Sequence, residues 1–225
     1  THPELQRAIW AHRVDTLGKM MEAAQLFAGA EIDVVYDAAA EALLVNHPPD
    51  PPSGLRLDVL LAYADRLNPA LSLWLDVKNL SEANGARVVR ELKALDERHA
   101  IRARALVETE HTGPAAAALR GAGFVSSYYL PTKTVLQRAN SDAPGSAACA
   151  GAAEIRRTLE SRRFAAVSYD WRGHRWVERC LGAFVRQRAL GRYAWDLGPV
   201  LSDPRAHEAL DERRLSEYTA LSAVL

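Results

Sequence analysis

Residues 71–110 read LSLWLDVKNLSEANGARVVRELKALDERHAIRARALVETE, and their order decides the fold. The stretch opens on a short, mostly apolar run, 71–78, of strand length. In 81–97, Val88, Val89, Leu92 and Leu95 fall on one stripe at helical spacing, and Ser81 is placed to cap the start. A second strand-like run, 104–110, follows. Strand, helix and strand in this order form a crossover unit with parallel strands. The alternation continues outward to both ends of the chain. Strands are predicted at 8–13, 31–36, 71–78, 104–110, 124–130, 164–170 and 192–195, and helices at 17–26, 55–66, 81–97, 114–120, 152–162, 175–188 and 204–213. Ala42 to Val45 reads as a hairpin-like extension of the second strand that enters the stiff loop His47-Pro48-Pro49-Asp50-Pro51-Pro52. Gly29, Gly121, Gly123 and Gly191 lie near predicted helix ends, where left-handed cap residues are expected. Seven or eight such units make an α/β protein of the (β/α)₈ TIM-barrel type, in one domain spanning 1–225. The last unit is expected to be irregular or incomplete, since 220–225 alone offers an eighth strand. The rival, an open doubly wound sheet, wants a glycine-rich loop after its first strand, and His12-Arg13-Val14-Asp15-Thr16 has no glycine. The Ser-, Ala-, Gly- and Pro-rich stretch 140–153 reads as a loop.

Composition narrows the partners. The 225 residues are 48% apolar and 25% charged, with 28 basic residues against 28 acidic ones. Disorder, collagen-like repeats and coiled coils are thereby excluded. Zero net charge removes the long-range attraction by which nucleic-acid or anionic-membrane binders are drawn in, so no nucleic-acid partner is expected. Cys149 and Cys180 are too few for a disulfide framework and have no CxxC spacing, which leaves both their pairing and the redox compartment open. No apolar run approaches the roughly 20 residues of a membrane span. Without such a run a soluble protein is expected; the sequence begins at Thr1 rather than Met, which fits a trimmed initiator or a removed signal peptide, so a cytoplasmic and a secreted location both stay open.

Charges inside barrel strands need a reason, because both faces of such strands are buried. Glu31 and Asp33 lie two residues apart on the second predicted strand and share a face; Asp76 and Lys78 repeat that spacing on the third. Three carboxylates and an ammonium then meet at the carboxyl ends of neighbouring strands, where barrel enzymes keep their sites. Neighbouring carboxylates repel unless a proton or cation lies between them, and hard oxygen donors suit Mg²⁺ or Ca²⁺ better than Zn²⁺. His12 ends the first strand and His47 is fixed by two prolines, so one imidazole can accept a proton while the other donates one. Lys78 is one of four lysines, with Lys19, Lys93 and Lys133, and its compact ammonium suits a phosphoryl oxygen.

The ordered set His12, Glu31-Ile32-Asp33, His47-Pro48-Pro49 and Leu75-Asp76-Val77-Lys78 resembles the phospholipase C-like phosphodiesterase superfamily, which includes glycerophosphodiester phosphodiesterases and sphingomyelinase D type phospholipases. The HPP and LDVK segments are most similar to its menorin-like branch. The resemblance implies a (β/α)₈ barrel and acid and base roles for His12 and His47. It also implies one divalent metal on Glu31, Asp33 and Asp76, and phosphate binding by Lys78. Trp195 resembles the late aromatic that flanks the site in the sphingomyelinase branch. The implied activity is hydrolysis or internal lysis of a glycerophosphodiester- or phospholipid-like substrate. A non-catalytic barrel that holds a phosphorylated ligand or a protein partner is the alternative. A third reading, an aldolase or isomerase with Lys78 as Schiff-base nucleophile, is weakened by Asp76, which keeps that lysine protonated.

Around this set, Glu108 and Glu110 share a face at the end of the fourth predicted strand beside His111, and form either a substrate-contacting wall or a solvated strand end. Tyr128, Tyr129, Tyr169 and Trp171 end later strands and either line a head-group pocket or close the barrel top; Tyr169 and Trp195 join the candidate substrate contacts. His99, His174 and His207 read as solvated helix residues, and the pairs Arg156-Arg157 and Arg162-Arg163 as a solvated helix face.

Overall fold

The computed structural model describes residues 9–139, 149–196 and 220–224. In chain order the elements are β1 (Ile9–His12), α1 (Leu17–Leu26), β2 (Gly29–Asp37), β3 (Ala42–Val45), α2 (Leu57–Leu67), β4 (Ser72–Val77), α3 (Gly85–His99) and β5 (Ala105–Thr109). They continue with α4 (Pro114–Gly121), β6 (Val125–Tyr129), α5 (Thr132–Ala139), α6 (Ala152–Ser161), β7 (Ala166–Asp170), α7 (His174–Gln187), β8 (Gly191–Asp196) and β9 (Ala220–Val224). Parallel pairing runs β1-β9-β8-β7-β6-β5-β4-β2, and β2 returns to β1 through the Ala11–Ala30 pair, so eight parallel strands close a (β/α)₈ barrel. The segment 220–224 is the eighth strand, lying between β8 and β1. β3 folds back antiparallel on β2, with Val34 opposite Val45, and delivers the His47 loop to the rim. The predicted helix 204–213, His207 and residues 140–148 of the predicted loop lie outside the described residues.

The helices form where the sequence places apolar stripes. Thr16 caps α1, its side chain accepting from the Lys19 backbone N–H at 3.2 Å. Helix α3 buries Val88, Leu92 and Leu95 on one face. Its start differs from expectation: Ser81 does not cap it, and the helix begins at Gly85. Asn84 instead closes the preceding turn, accepting from Ser81 N and donating to Asn79 O, both at 2.8 Å. Gly85 packs so tightly on Ala115 of α4 that a Cβ there would overlap it. Helix α5 was not anticipated; its eight residues follow β6 directly and bury Val135. Of the four glycines expected in left-handed caps only Gly123 has positive φ, at 88°. Gly121 stays helical, and Gly29 and Gly191 begin strands.

Two apolar layers wrap the barrel, one under each half of the helical ring. A third cluster plugs its inside, where Trp10, Trp74, Leu106, Ala166 and Tyr193 meet. Tyr193 stands edge-on to both tryptophans, with centroids 5.9 Å from Trp10 and 5.3 Å from Trp74. Gly29 makes room for this plug, since a Cβ at that position would lie inside the Trp10 indole. The lower barrel is therefore solid, and polar side chains begin above it.

Two polar features correct the sequence reading. His99 is not solvated: its side chain is 9% exposed, with Nδ1 2.7 Å from Asp65 and Nε2 3.0 Å from Asp58. Those aspartates lie seven residues apart on α2, two turns along one face, and clamp the last residue of α3. His174 stacks half-buried on Trp171, with 4.7 Å between centroids. Cys149 and Cys180 form a disulfide that ties the approach to α6 to the middle of α7. Cross-linking residues 31 apart removes unfolded-chain entropy worth about 3–4 kcal/mol. Replacing both cysteines by alanine is expected to lower Tm by about 10 °C in a calorimetric scan. An unchanged Tm would contradict that role.

Candidate metal and phosphodiester site

The strand registers assemble the site. Asp33 on β2 pairs with Asp76 on β4, which pairs with Glu108 on β5, so three carboxylates stand side by side at one level of the barrel. Glu31 lies one pleat below Asp33 on the same face. Glu31, Asp33 and Glu108 are buried, at 3%, 1% and 1% exposure. Glu31, Asp33 and Asp76 each offer an oxygen within 4.8 Å of the other two. One oxygen of Asp33 and one of Glu108, Oδ2 and Oε2, are buried without a hydrogen-bond partner. Orphaned acceptors of this kind require an explanation, and a bound cation supplies one.

Positive charge is built in at the edges. Lys78 bridges two of the carboxylates, with Nζ 2.7 Å from Asp33 Oδ1 and also paired to Asp76. Arg13 follows His12 in a left-handed conformation, φ +52°. Its backbone N–H donates to Glu31 Oε2 at 2.7 Å, and its guanidinium faces Asp33 at 3.5 Å and Asp50 at 3.0 Å. Asp15 completes the support by accepting from the Asp33 backbone N–H at 3.0 Å.

The electrostatics follow from this crowding. Burial pushes the Glu31 carboxyl well above the usual carboxylate range, and Asp33 and Asp76 push it further. Burial, then Asp76, does the same to Glu108. Asp15 is raised to about 7, by burial first and Asp33 second. Asp76 is raised by burial against the pull of Lys78. Burial works against the Lys78 charge, yet Asp76 and Asp33 outweigh it and hold its pKa above the ordinary lysine value. His12 is lowered to about 4, chiefly by burial; its Nδ1 lies 3.3 Å from Glu31 Oε2.

Above the tryptophan plug a cavity of about 450 Å³ opens, lined by every residue of the predicted constellation: His12, Glu31, Asp33, His47, Asp76 and Lys78. Of the predicted substrate contacts, Glu108, Glu110 and Trp195 line it too. Tyr169 does not. On β7 it alternates with the inward-facing Ser168, so it points to the helical layer, where it is fully buried. Tyr128 likewise belongs to the outer layer, stacked on Phe164, while its neighbour Tyr129 faces the cavity. Arg13 and Trp74 are cavity residues that the sequence reading gave no role. Adjacency to His12 was the one signal for Arg13. Nothing in the sequence singles out Trp74, whose indole forms both core and cavity floor.

No family model and no curated protein matches the sequence. Solved structures do. A glycerophosphodiester phosphodiesterase from Parabacteroides distasonis ATCC 8503 is similar, with TM-score 0.66 and 15% identity, over 96% of this chain and 92% of that one. A protein named for the same activity from Silicibacter pomeroyi DSS-3 gives TM-score 0.67 and 14% identity, over 97% and 89%. The catalytic domain of a mannanase from Streptomyces sp. SirexAA-E is similar at TM-score 0.53 and 12% identity, over 96% and 73%. Barrels of this kind host many chemistries, so the site has to supply the function. The likeness is one of fold: the chain is a (β/α)₈ barrel of the form found in glycerophosphodiester phosphodiesterase structures.

Proposed function

We propose that the protein is a metal-dependent phosphodiesterase that cleaves a small glycerophosphodiester- or phospholipid-like substrate with His12 and His47 as its acid–base pair. One observation carries the reading. A cluster of three carboxylates, bridged by an ammonium, shares a cavity with two imidazoles. The donor set fits a hard divalent ion: all oxygens, three formal negative charges, and a buried Asp33 oxygen with no hydrogen bond. Glu31, Asp33 and Asp76 would hold it, and Mg²⁺ or Ca²⁺ matches such ligands. When bound, the ion polarises a phosphoryl oxygen and offsets charge developing in the transition state.

The chain's own residues do the rest. Lys78 adds fixed positive charge beside the phosphate position, and Arg13 holds the Asp33 side of the cluster in place. One histidine takes a proton from water or from a hydroxyl of the substrate, and the other protonates the departing alcohol oxygen. Attack by water gives a phosphomonoester and a free alcohol; attack by an internal hydroxyl gives a cyclic phosphate and the same alcohol. The solid tryptophan floor closes the barrel below, so substrate enters and leaves at the His47 rim.

The test is alcohol release from a panel of glycerophosphodiesters and lysophospholipids. Release is expected with Mg²⁺ or Ca²⁺, is expected to stop with EDTA, and to return on adding the ion back. No release from any substrate, with or without metal, would overturn the reading in favour of a barrel that only binds.

A further inference from the structure

We propose that Asp50 is a positioning residue that holds His47 in the cavity by tying its loop, through Arg13, to the strand end that carries His12. The inference deepens the phosphodiesterase reading and rests on it for turnover, though not for the tie itself.

The two histidines are held in opposite ways. The His12 ring is buried, stacked on Trp195 with 6.1 Å between centroids, and its Nδ1 lies 3.3 Å from Glu31 Oε2. The half-exposed His47 ring makes no hydrogen bond or ion pair with the described residues, so its backbone sets its place in the cavity. That backbone has few means of anchoring itself. In His47-Pro48-Pro49-Asp50-Pro51-Pro52 the four prolines have no N–H to donate. The stem is fixed, with the Val45 N–H donating to Leu55 O at 2.8 Å and the Asn46 N–H to Asp33 O at 3.0 Å. Beyond it the Asp50 N–H turns inward to His47 O at 2.9 Å, which closes the turn 47–50 but does not dock it. Docking is left to the Asp50 side chain, whose Oδ2 accepts from Arg13 Nη2 at 3.0 Å. Among the described residues, this is the one hydrogen bond or ion pair that 47–52 makes outside its own loop.

Arg13 is itself well anchored. Its N–H donates to Glu31 Oε2 at 2.7 Å, its carbonyl accepts from Lys19 Nζ at 3.1 Å, and its Nε faces Asp33 at 3.5 Å and Asp15 at 3.8 Å. Because Arg13 directly follows His12, one side chain sets the distance between the strand end of the first imidazole and the loop of the second. Asp50 is exposed, and an exposed ion pair adds little to folding stability. Its effect falls on where His47 stands, and proton transfer depends steeply on that placement.

The kinetic test uses the full chain, with the substrate on which the parent turns over. Asp50→Asn is expected to lower kcat about fivefold, with KM within twofold and Tm unchanged. Asp50→Glu is expected to recover at least half of the parent kcat. In an Arg13→Gln background the same Asp50→Asn change is expected to cost less than twofold, since the tie is already gone. Raising the salt concentration is expected to narrow the gap between the parent and Asp50→Asn. A parent-like kcat in Asp50→Asn, or an equal loss in both backgrounds, would overturn the tie. A second readout needs no turnover: the imidazole resonances of His47, assigned by their loss in His47→Ala, are expected to shift or broaden in Asp50→Asn and not further in the Arg13→Gln background. That response in a protein that cleaves no phosphodiester keeps the tie and removes the phosphodiesterase reading. Phosphodiester turnover with kcat and His47 resonances both unchanged in Asp50→Asn keeps that reading and overturns the tie.

Discussion

Alanine at His12 or at His47 is expected to lower kcat for phosphodiester cleavage by roughly 10²–10⁴-fold, the range in which a positioned acid or base acts. The double variant is expected to fall little further than the worse single one, because two groups that move protons in one reaction act as a unit. Their effects on stability should differ. His12 is buried against Trp195 and Glu31, so its loss leaves a gap and costs about 1–2 kcal/mol. His47 sits half-exposed on the loop after β3, and its loss should leave Tm nearly unchanged. Kinetics measured below both melting temperatures thus separate chemistry from folding. Turnover in His47→Ala within twofold of the parent would remove it from the acid–base pair.

The pattern of these residues was legible because chemistry and periodicity coincide in the chain. The two-residue spacing of Glu31 with Asp33, and of Asp76 with Lys78, is the strand period, and strand pairing brought Asp33 and Asp76 level. The closing strand at 220–224 and the hairpin at 42–45 also lie where apolar runs placed them. What stayed hidden depends on contacts between distant segments. Tyr169 and Tyr129 both precede loops at strand ends, and only the pleat phase sends one to the helices and the other to the cavity. His99 looked solvated because nothing local shows that Asp58 and Asp65 lie across from it. Helix α5 is short and rich in Thr and charged residues, and its packing against the α7 region, rather than its propensity, holds it. The pairing of Cys149 with Cys180 needed the approach of α6 to α7.

Glu31→Gln is expected to stabilise the metal-free protein while destroying its function. Three carboxylates share a space 4.8 Å across, and Glu31 is the deepest, raised by burial and by both neighbours. A carboxyl whose folded pKa lies above its unfolded value loses stability as pH rises past the unfolded value, so that loss is fully present once the pH exceeds the folded value. Glutamine keeps an oxygen to accept from Arg13 N–H and removes the charge. The expected gain at alkaline pH is about 1 kcal/mol, or about 2–4 °C in Tm, shrinking toward acid. The same change removes one of three anionic ligands, so the divalent-ion stabilisation of the parent should largely vanish, and turnover with it. A variant less stable than the parent without metal, yet still stabilised by Mg²⁺, would place the ion elsewhere.

The most direct measurement is anomalous diffraction from a crystal of the full chain soaked in Mn²⁺, which substitutes for hard divalent ions at oxygen sites. A single strong peak is predicted within coordination distance of carboxylate oxygens from Glu31, Asp33 and Asp76, with His12 and His47 on the same cavity. A peak bound by other residues, or none at saturating Mn²⁺, would contradict the metal-centred account.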